Sequence, residues 1–228
     1  ESLARFNLFS SISVNASAAE GYSSGDAIQA VKEVAAQTLP SGYGYELSGI
    51  SREEASTGAS IVVIFAIIII FIYIILCSLY ESLFIPLAVM LSVPFGLAGS
   101  FLFAKMFGIE NNVYMQTGLI MLIGLLSKTA ILLTEYASAR RKQGMSIAQA
   151  ALSAAGVRLR PILMTALTMI IGLLPLVFAT GAGAGSRVAL GAAVVFGMAV
   201  NTIFATIYIP NWYEVMQHIQ EKWLTKKK

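Results

Sequence analysis

The sequence predicts a polytopic α-helical membrane protein, with five transmembrane helices behind a small polar βαβ unit. Three observations carry that reading. Hydrophobic residues make up 57% of the 228-residue chain and charged residues 12%, where a soluble domain carries roughly 25% charged residues. Beyond residue 56 the chain falls into five apolar runs, each near the roughly 20 residues that cross a bilayer as a helix. The basic residues also sort by side once those runs are threaded back and forth. Arg140, Arg141, Lys142, Arg158, Arg160, Lys222, Lys226, Lys227 and Lys228 fall on one side. Arg5, Lys32, Arg52, Lys105 and Arg187 fall on the other. The positive-inside rule then puts the C-terminus in the cytoplasm and the N-terminal unit outside. A single cysteine, Cys77 inside the first run, allows the bacterial periplasm and excludes an internal disulfide.

Residues 1–56 are read as the βαβ unit. Ser11–Ala16 alternates with period two, as a half-buried strand does. Gly21–Gly25 is rich in turn residues, with Ser24 as a helix cap. From Asp26 to Leu39 one helical face collects Ala27, Ile28, Val31, Val34 and Ala35 until Pro40 stops it. Tyr43–Ser48 then alternates again. Two strands and one helix cannot bury a core of their own, so this unit needs a partner, in further sequence or another subunit. Glu1 in place of an initiator Met, with no signal-peptide pattern, reads as a mature or excised piece.

The first run, Thr57–Tyr80, is apolar all round and rich in β-branched residues, which marks a lipid-facing helix. The second, Leu83–Phe107, carries Pro86 and Pro94, which packed neighbours tolerate in a bilayer. Gly108–Asn112 turns the chain into the third, Val113–Tyr136. Residues 138–160 form a connecting loop in which Ile147, Ala148, Ala151, Leu152 and Ala155 suggest a short interfacial helix. The fourth run starts at Arg158–Pro161 and ends near Thr180. The fifth, Val188–Tyr213, closes on Trp212 and Tyr213 as interface anchors, and residues 214–228 are a basic, frayed tail.

Lys128 is the residue that demands an explanation. It lies roughly 22 Å along its helix from Val113 and roughly 12 Å from Tyr136, at 1.5 Å per residue. A lysine at that depth costs roughly 3 kcal/mol to insert and normally faces a partner or a water-filled path. Neighbouring carbonyls and hydroxyls could satisfy it, or it could pair with a titrating acid on an ion pathway. The acid bordering its span, Glu135, sits two turns along the same helix and suits the interface near Arg140 or Arg158. No deep carboxylate in these 228 residues answers Lys128. Thr165, Thr168 and Gly172 share one face of the fourth helix, where hydroxyls serve as interhelical glue. Arg158 lies just below them at the cytoplasmic boundary, a common place for a headgroup anchor. Asn201 and Thr202 read as cross-bonds between helices. Gly181, Gly183 and Gly185 make a turn and not a phosphate loop, since no Gly-Lys-Ser/Thr follows. His218 is alone, so no metal site is expected, and no hydrolase or kinase constellation occurs. ATP is therefore not the expected energy source of this chain.

The ordered residues are nonetheless familiar. Val113-Tyr114-x-Gln116-x-Gly118-Leu119, Gly124-Leu125-x-Ser127-Lys128-x-Ala130-Ile131-Leu132 and Glu135-Tyr136-Ala137 are followed by Arg158-Leu159-Arg160-Pro161-Ile162-Leu163-Met164-Thr165. Pro175-Leu176-Val177 and Thr180-Gly181-Ala182-Gly183 complete the series. Together they resemble the C-terminal end of resistance-nodulation-division (RND) efflux pumps, closest to the hydrophobic/amphiphilic drug-efflux branch of Gram-negative bacteria. Tyr80-Glu81-Ser82, Ile85-Pro86 and Val93-Pro94 fit the same order, and the resemblance covers nearly the whole chain. Thr129 departs from it, since drug-efflux members commonly carry asparagine beside the lysine.

The resemblance implies that the five runs are helices 8 to 12 of twelve, and that residues 1–56 are half of a ferredoxin-like porter subdomain. It implies that Lys128 pairs with two aspartates on the fourth helix of an N-terminal half, and that Thr165 and Arg158 belong to the proton relay. The coupling ion is then the proton, with no organic cofactor and no metal. The implied partners are that N-terminal half, a homotrimer, a periplasmic adaptor, an outer-membrane channel, the lipid bilayer and amphiphilic drugs, with no nucleic acid and no enzymatic reaction. Two other readings stand beside a drug/proton antiporter of the inner membrane. One is a truncated or split subunit with a scaffold role, the other an RND exporter of metal ions or lipids, of which the placement of the nine Met residues mainly in the spans weakens the metal option.

Overall fold

The structure, a computed structural model, describes residues 4–19, 22, 24–57 and 61–226. It divides into two compact units, residues 1–56 and 57–228. In the first, β1 (Arg5–Phe6) and β2 (Phe9–Ser10) form an antiparallel hairpin. Its two-residue turn holds Asn7 and Leu8 at φ of 49° and 72°, a left-handed pair that suits asparagine and strains leucine. Helix α1 spans Ser24–Thr38 and α2 Gly49–Thr57. The helix is where periodicity put it, but Ser24 is its first residue and not a cap. The Ser24 hydroxyl instead bonds the Glu54 carboxylate at 2.5 Å. Residues 21 and 23 of the expected turn lie outside the described residues.

The two expected strands are corrected: Ser11–Ala16 and Tyr43–Ser48 carry no ladder. None of the described residues of this unit is buried. A strand is held by its neighbours' hydrogen bonds and by a covered face, and these residues have neither here. Alternation alone does not make a sheet.

The second unit is helical and contains five helices long and apolar enough to cross a membrane. Helix α3 (Ile61–Tyr80) is the first, and only 6% of its apolar window is buried. At Glu81 the backbone enters φ 50° and turns into α4 (Ile85–Met90), followed by α5 (Val93–Met106). Pro86 and Pro94 each sit in a helix's first turn, where the missing N–H costs nothing. The two short helices make one span, Ile85–Met106. Helix α6 (Val113–Lys142) opens on Asn112, whose side chain accepts from Met115 N at 3.0 Å, an ordinary N-cap.

Two elements are longer than periodicity suggested. Residues 138–142 complete α6, and α7 runs unbroken over Ile147–Val177. The expected interfacial helix is therefore the first turns of α7, continuous through Pro161. The last helix, α8, spans Ala184–Lys226, so the tail up to residue 226 is helical and not frayed. Arg141 on α6 grips Glu221 with two bonds of 2.8 and 2.9 Å. Ser82 bonds Gln220 at 2.9 Å, and Phe84 meets the Trp223 ring. These contacts hold turns that composition alone would leave loose.

Helix α8 occupies the centre, with 56% of its apolar window buried. It packs against α5 and α6 through small residues. A Cβ at Gly197 would run into Leu122, the Ser100 hydroxyl and the Gly96 carbonyl. Ser100 Oγ donates across to Ala193 O at 2.5 Å. Phe103 stacks on Phe196 at 4.5 Å. Small-residue contact with a few interhelical hydrogen bonds is how helices associate where lipid is as apolar as leucine.

Candidate functional site

The α6 sequence makes two faces. Met115, Leu119, Leu122, Leu126, Ala130, Leu133 and Ala137 are buried on one, recurring every three to four residues as a packed stripe does. Thr117, Met121, Gly124 and Lys128 recur at the same spacing on the opposite side and are exposed. Lys128 therefore stands on an uncovered face of the bundle. Among the described residues no hydrogen bond or ion pair involves it.

Level within the membrane follows from α3. Its 20 residues span roughly 30 Å, the thickness of the hydrocarbon core. It ends at Tyr80, whose hydroxyl bonds Thr134 Oγ1 at 2.6 Å and donates to Ile131 O at 3.2 Å. If the end of α3 is taken as the edge of the hydrocarbon core, Thr134 lies at that edge on α6 and Lys128 roughly 9 Å inside it, by the 1.5 Å rise.

Thr165 is exposed on α7, and its hydroxyl donates to Pro161 O at 3.1 Å and Ile162 O at 3.0 Å. Thr168 is also exposed and donates to Met164 O at 2.7 Å, and Gly172 is exposed above it. Neither threonine cross-bonds another helix among the described residues. The glue reading thus finds no bond here. Asn201 and Thr202 are buried, with Thr202 Oγ1 turned back to Met198 O at 2.7 Å.

Arg158 is half-buried, and its guanidinium carbon lies 4.9 Å from the centre of the Tyr136 ring on α6. Arg140 approaches the same ring at 5.0 Å, and its Nε donates to the Tyr136 hydroxyl at 3.0 Å. One aromatic ring thus serves two cations, each contact worth roughly 0.5–2 kcal/mol. Glu135 is exposed and forms no ion pair with either arginine among the described residues; it is Tyr136, one position round the helix, that meets both. The Tyr136 role was not read from the sequence, although Tyr136 and Arg140 stand at i and i+4.

The Tyr136–Arg158 contact also sets register. Helices α6 and α7, joined by a short link, run antiparallel. Lys128 lies eight residues before Tyr136 and Thr165 seven residues after Arg158. Both are then roughly 10–12 Å from that contact by helix rise, at the same level of neighbouring helices. Arg158 and Thr165 share a face of α7. The structure joins Arg158 to α6 directly and puts Lys128 and Thr165 level with each other, without a bond between them.

Long apolar helices, small-residue packing and a lysine on an open face define a membrane-spanning helical bundle. The particular family follows from comparison with known proteins. The model of the AcrB/AcrD/AcrF family matches residues 1–217, and the chain belongs to that family, the RND efflux transporters. It is 41% identical over 211 residues to the toluene efflux pump membrane transporter TtgB of Pseudomonas putida, covering 92% of this chain and 20% of that protein. It is 40% identical over 218 residues to the multidrug resistance protein MdtF of Escherichia coli, covering 95% of this chain and 21% of that protein. A third relative, the toluene efflux pump membrane transporter TtgE of P. putida, is 39% identical over 221 residues, covering 96% and 21%. The chain spans about a fifth of the length of the curated relatives it matches.

Proposed function

We propose that this chain is the C-terminal part of a proton-driven multidrug exporter of the inner membrane. The observation that carries the reading is Lys128, a cation inside the hydrocarbon level on a bare helix face, with no acid beside it among the described residues. In an intact exporter a carboxylate pair on the other half of the transmembrane domain covers that face and balances the ammonium. Protonating those carboxylates removes their attraction for Lys128. The ammonium is then free to turn to hydroxyls at its own level, such as Thr165, and Arg158 stands near the cytoplasmic exit.

Residues 1–56 complete a ferredoxin-like porter subdomain on the periplasmic side, where the rest of the sheet supplies the ladder that they lack alone. The C-terminal end of α8 is cytoplasmic. The complete protein works as a homotrimer with a periplasmic adaptor and an outer-membrane channel, exporting hydrophobic and amphiphilic drugs. It uses no cofactor besides the coupling proton.

The test is Lys128→Met in the complete protein. Drug resistance is expected to fall to that of cells lacking the pump, while membrane abundance and oligomeric state stay as in the wild type. Unchanged resistance in that variant would remove Lys128 from the coupling.

A further inference from the structure

A cavity of about 250 Å³ lies between the α3–α4 turn and the end of α8, apart from Lys128 and its bare face. Glu81, Ser82, Phe84, Gln220 and Trp223 line it, as does Cys77 on α3. It is smaller than the roughly 300–1,000 Å³ of drug-sized sites and several times the roughly 30 Å³ of a water. A small headgroup fits.

The walls are fixed by contacts from both sides. Glu81, the first residue past α3, is held at φ 50°, a left-handed value that a β-carbon disfavours. Strain kept in a braced turn is a pointer to function. Ser82 Oγ accepts from Phe84 N at 3.2 Å and Ile85 N at 3.4 Å, and donates to Gln220 Oε1 at 2.9 Å. The Tyr73 hydroxyl donates to Leu83 O at 2.9 Å. The rings of Phe84 and Trp223 stand 6.0 Å apart at 59° and form a corner. Trp223 also takes the place expected of Tyr213. Tyr213, read as an interface anchor, is fully buried, whereas Trp223 is 47% exposed.

The chemistry of the walls selects the ligand. Glu81 is exposed, and among the described residues no ion pair or hydrogen bond involves its carboxylate. No lysine, arginine or histidine lines the cavity among the described residues. Gln220 Oε1 keeps a second lone pair beside the bond from Ser82. Aromatic faces attract a cation, and the carboxylate and the amide carbonyl accept from one that carries N–H groups. A quaternary ammonium has none to give. A phosphate would meet a like charge. The set suits a primary ammonium.

Position selects what carries that ammonium. With the end of α3 taken as the edge of the hydrocarbon core, the cavity opens at headgroup level. Ile67, Ile70 and Ile74 are each more than half exposed. They step by three and four residues to Cys77, and so form one apolar stripe that leads roughly 15 Å along α3 to the cavity. We infer that this cavity binds the primary-amine headgroup of a phospholipid. The ammonium sits between Glu81 and the Phe84–Trp223 corner, and the acyl chains lie along the α3 stripe.

The test uses the complete protein in nanodiscs of phosphatidylcholine mixed in equal parts with phosphatidylethanolamine or phosphatidylglycerol. Native mass spectrometry after release into detergent counts the lipid retained. Phosphatidylethanolamine is expected to be retained about tenfold over phosphatidylcholine, and Glu81→Gln should abolish that preference. Glu81→Lys should reverse it in favour of phosphatidylglycerol, a gain that misfolding cannot imitate. Equal retention of all three lipids by the wild type overturns the inference, and so does a phosphatidylethanolamine preference that survives Glu81→Lys. Free ethanolamine bound as tightly as the lipid would overturn the phospholipid assignment.

Discussion

Helices α3 and α6 both leave a face of the bundle bare, and the two bare faces have opposite chemistry. On α3 the exposed side chains include Val62, Val63, Ile67, Ile70, Phe71, Ile74 and Ile75, all apolar. On α6 they include Thr117, Met121, Gly124, Lys128 and Glu135. Lipid tails satisfy the first surface at no cost, because they offer what a β-branched side chain offers. They cannot satisfy the second, where an ammonium and a glycine-sized gap face outward. An uncovered helix face is thus not evidence of lipid contact by itself. Its composition says whether it awaits lipid or a polar partner.

The largest effect that would break this contrast is a charge placed on each face in turn. Ile70→Lys on α3 should cost about 3 kcal/mol of insertion free energy and deplete the protein from the membrane. Met121→Lys on α6 should be tolerated far better, as measured by membrane abundance. Equal depletion by both would mean that the two faces meet the same solvent.

A second test concerns the side of α6 that is already covered. Gly197→Leu forces a branched side chain into Leu122, Ser100 and the Gly96 backbone, and should destabilise the bundle by about 2 kcal/mol. The unfolding midpoint of the complete protein in detergent reads that loss, and an unchanged midpoint would deny the close α5–α6–α8 contact. The smallest effect belongs to Tyr136→Leu, which removes the ring shared by Arg140 and Arg158. About 1 kcal/mol of α6–α7 contact should disappear, and abundance should fall only slightly. Tyr136→Phe, which keeps the ring face, should recover most of it.

Much of this is legible in the sequence, for a physical reason. Spanning helices announce themselves by composition, because a bilayer demands about 20 apolar residues of each. The depth of Lys128 follows from counting residues. The N-terminal strands were misread because alternation such as Ser11–Ala16 states a preference that only a neighbouring strand can fulfil. The extent of α7 and α8 was underestimated because polar residues near a membrane surface look alike in loops and in helix ends. Past Tyr213, α8 is tied to the bundle by Arg141–Glu221, 80 residues apart, and by Ser82–Gln220, and no local pattern reveals such contacts. Tyr136 was missed because an aromatic ring beside a boundary reads as an anchor until its neighbours on α7 are known.

The length of α8 has a mechanical meaning. Its 43 residues make a rod of roughly 64 Å at 1.5 Å per residue, with Pro210 as its interior proline. A helix resists axial compression through every hydrogen bond along it, so a push at one end arrives at the other nearly undiminished. One end is wedged at Gly191 against Leu176 of α7, and the far end is strapped to α6 by Arg141. Any tilt of α6 would therefore carry α8 along as a lever. The motion would emerge beyond the membrane at Gln220, Glu221 and Trp223.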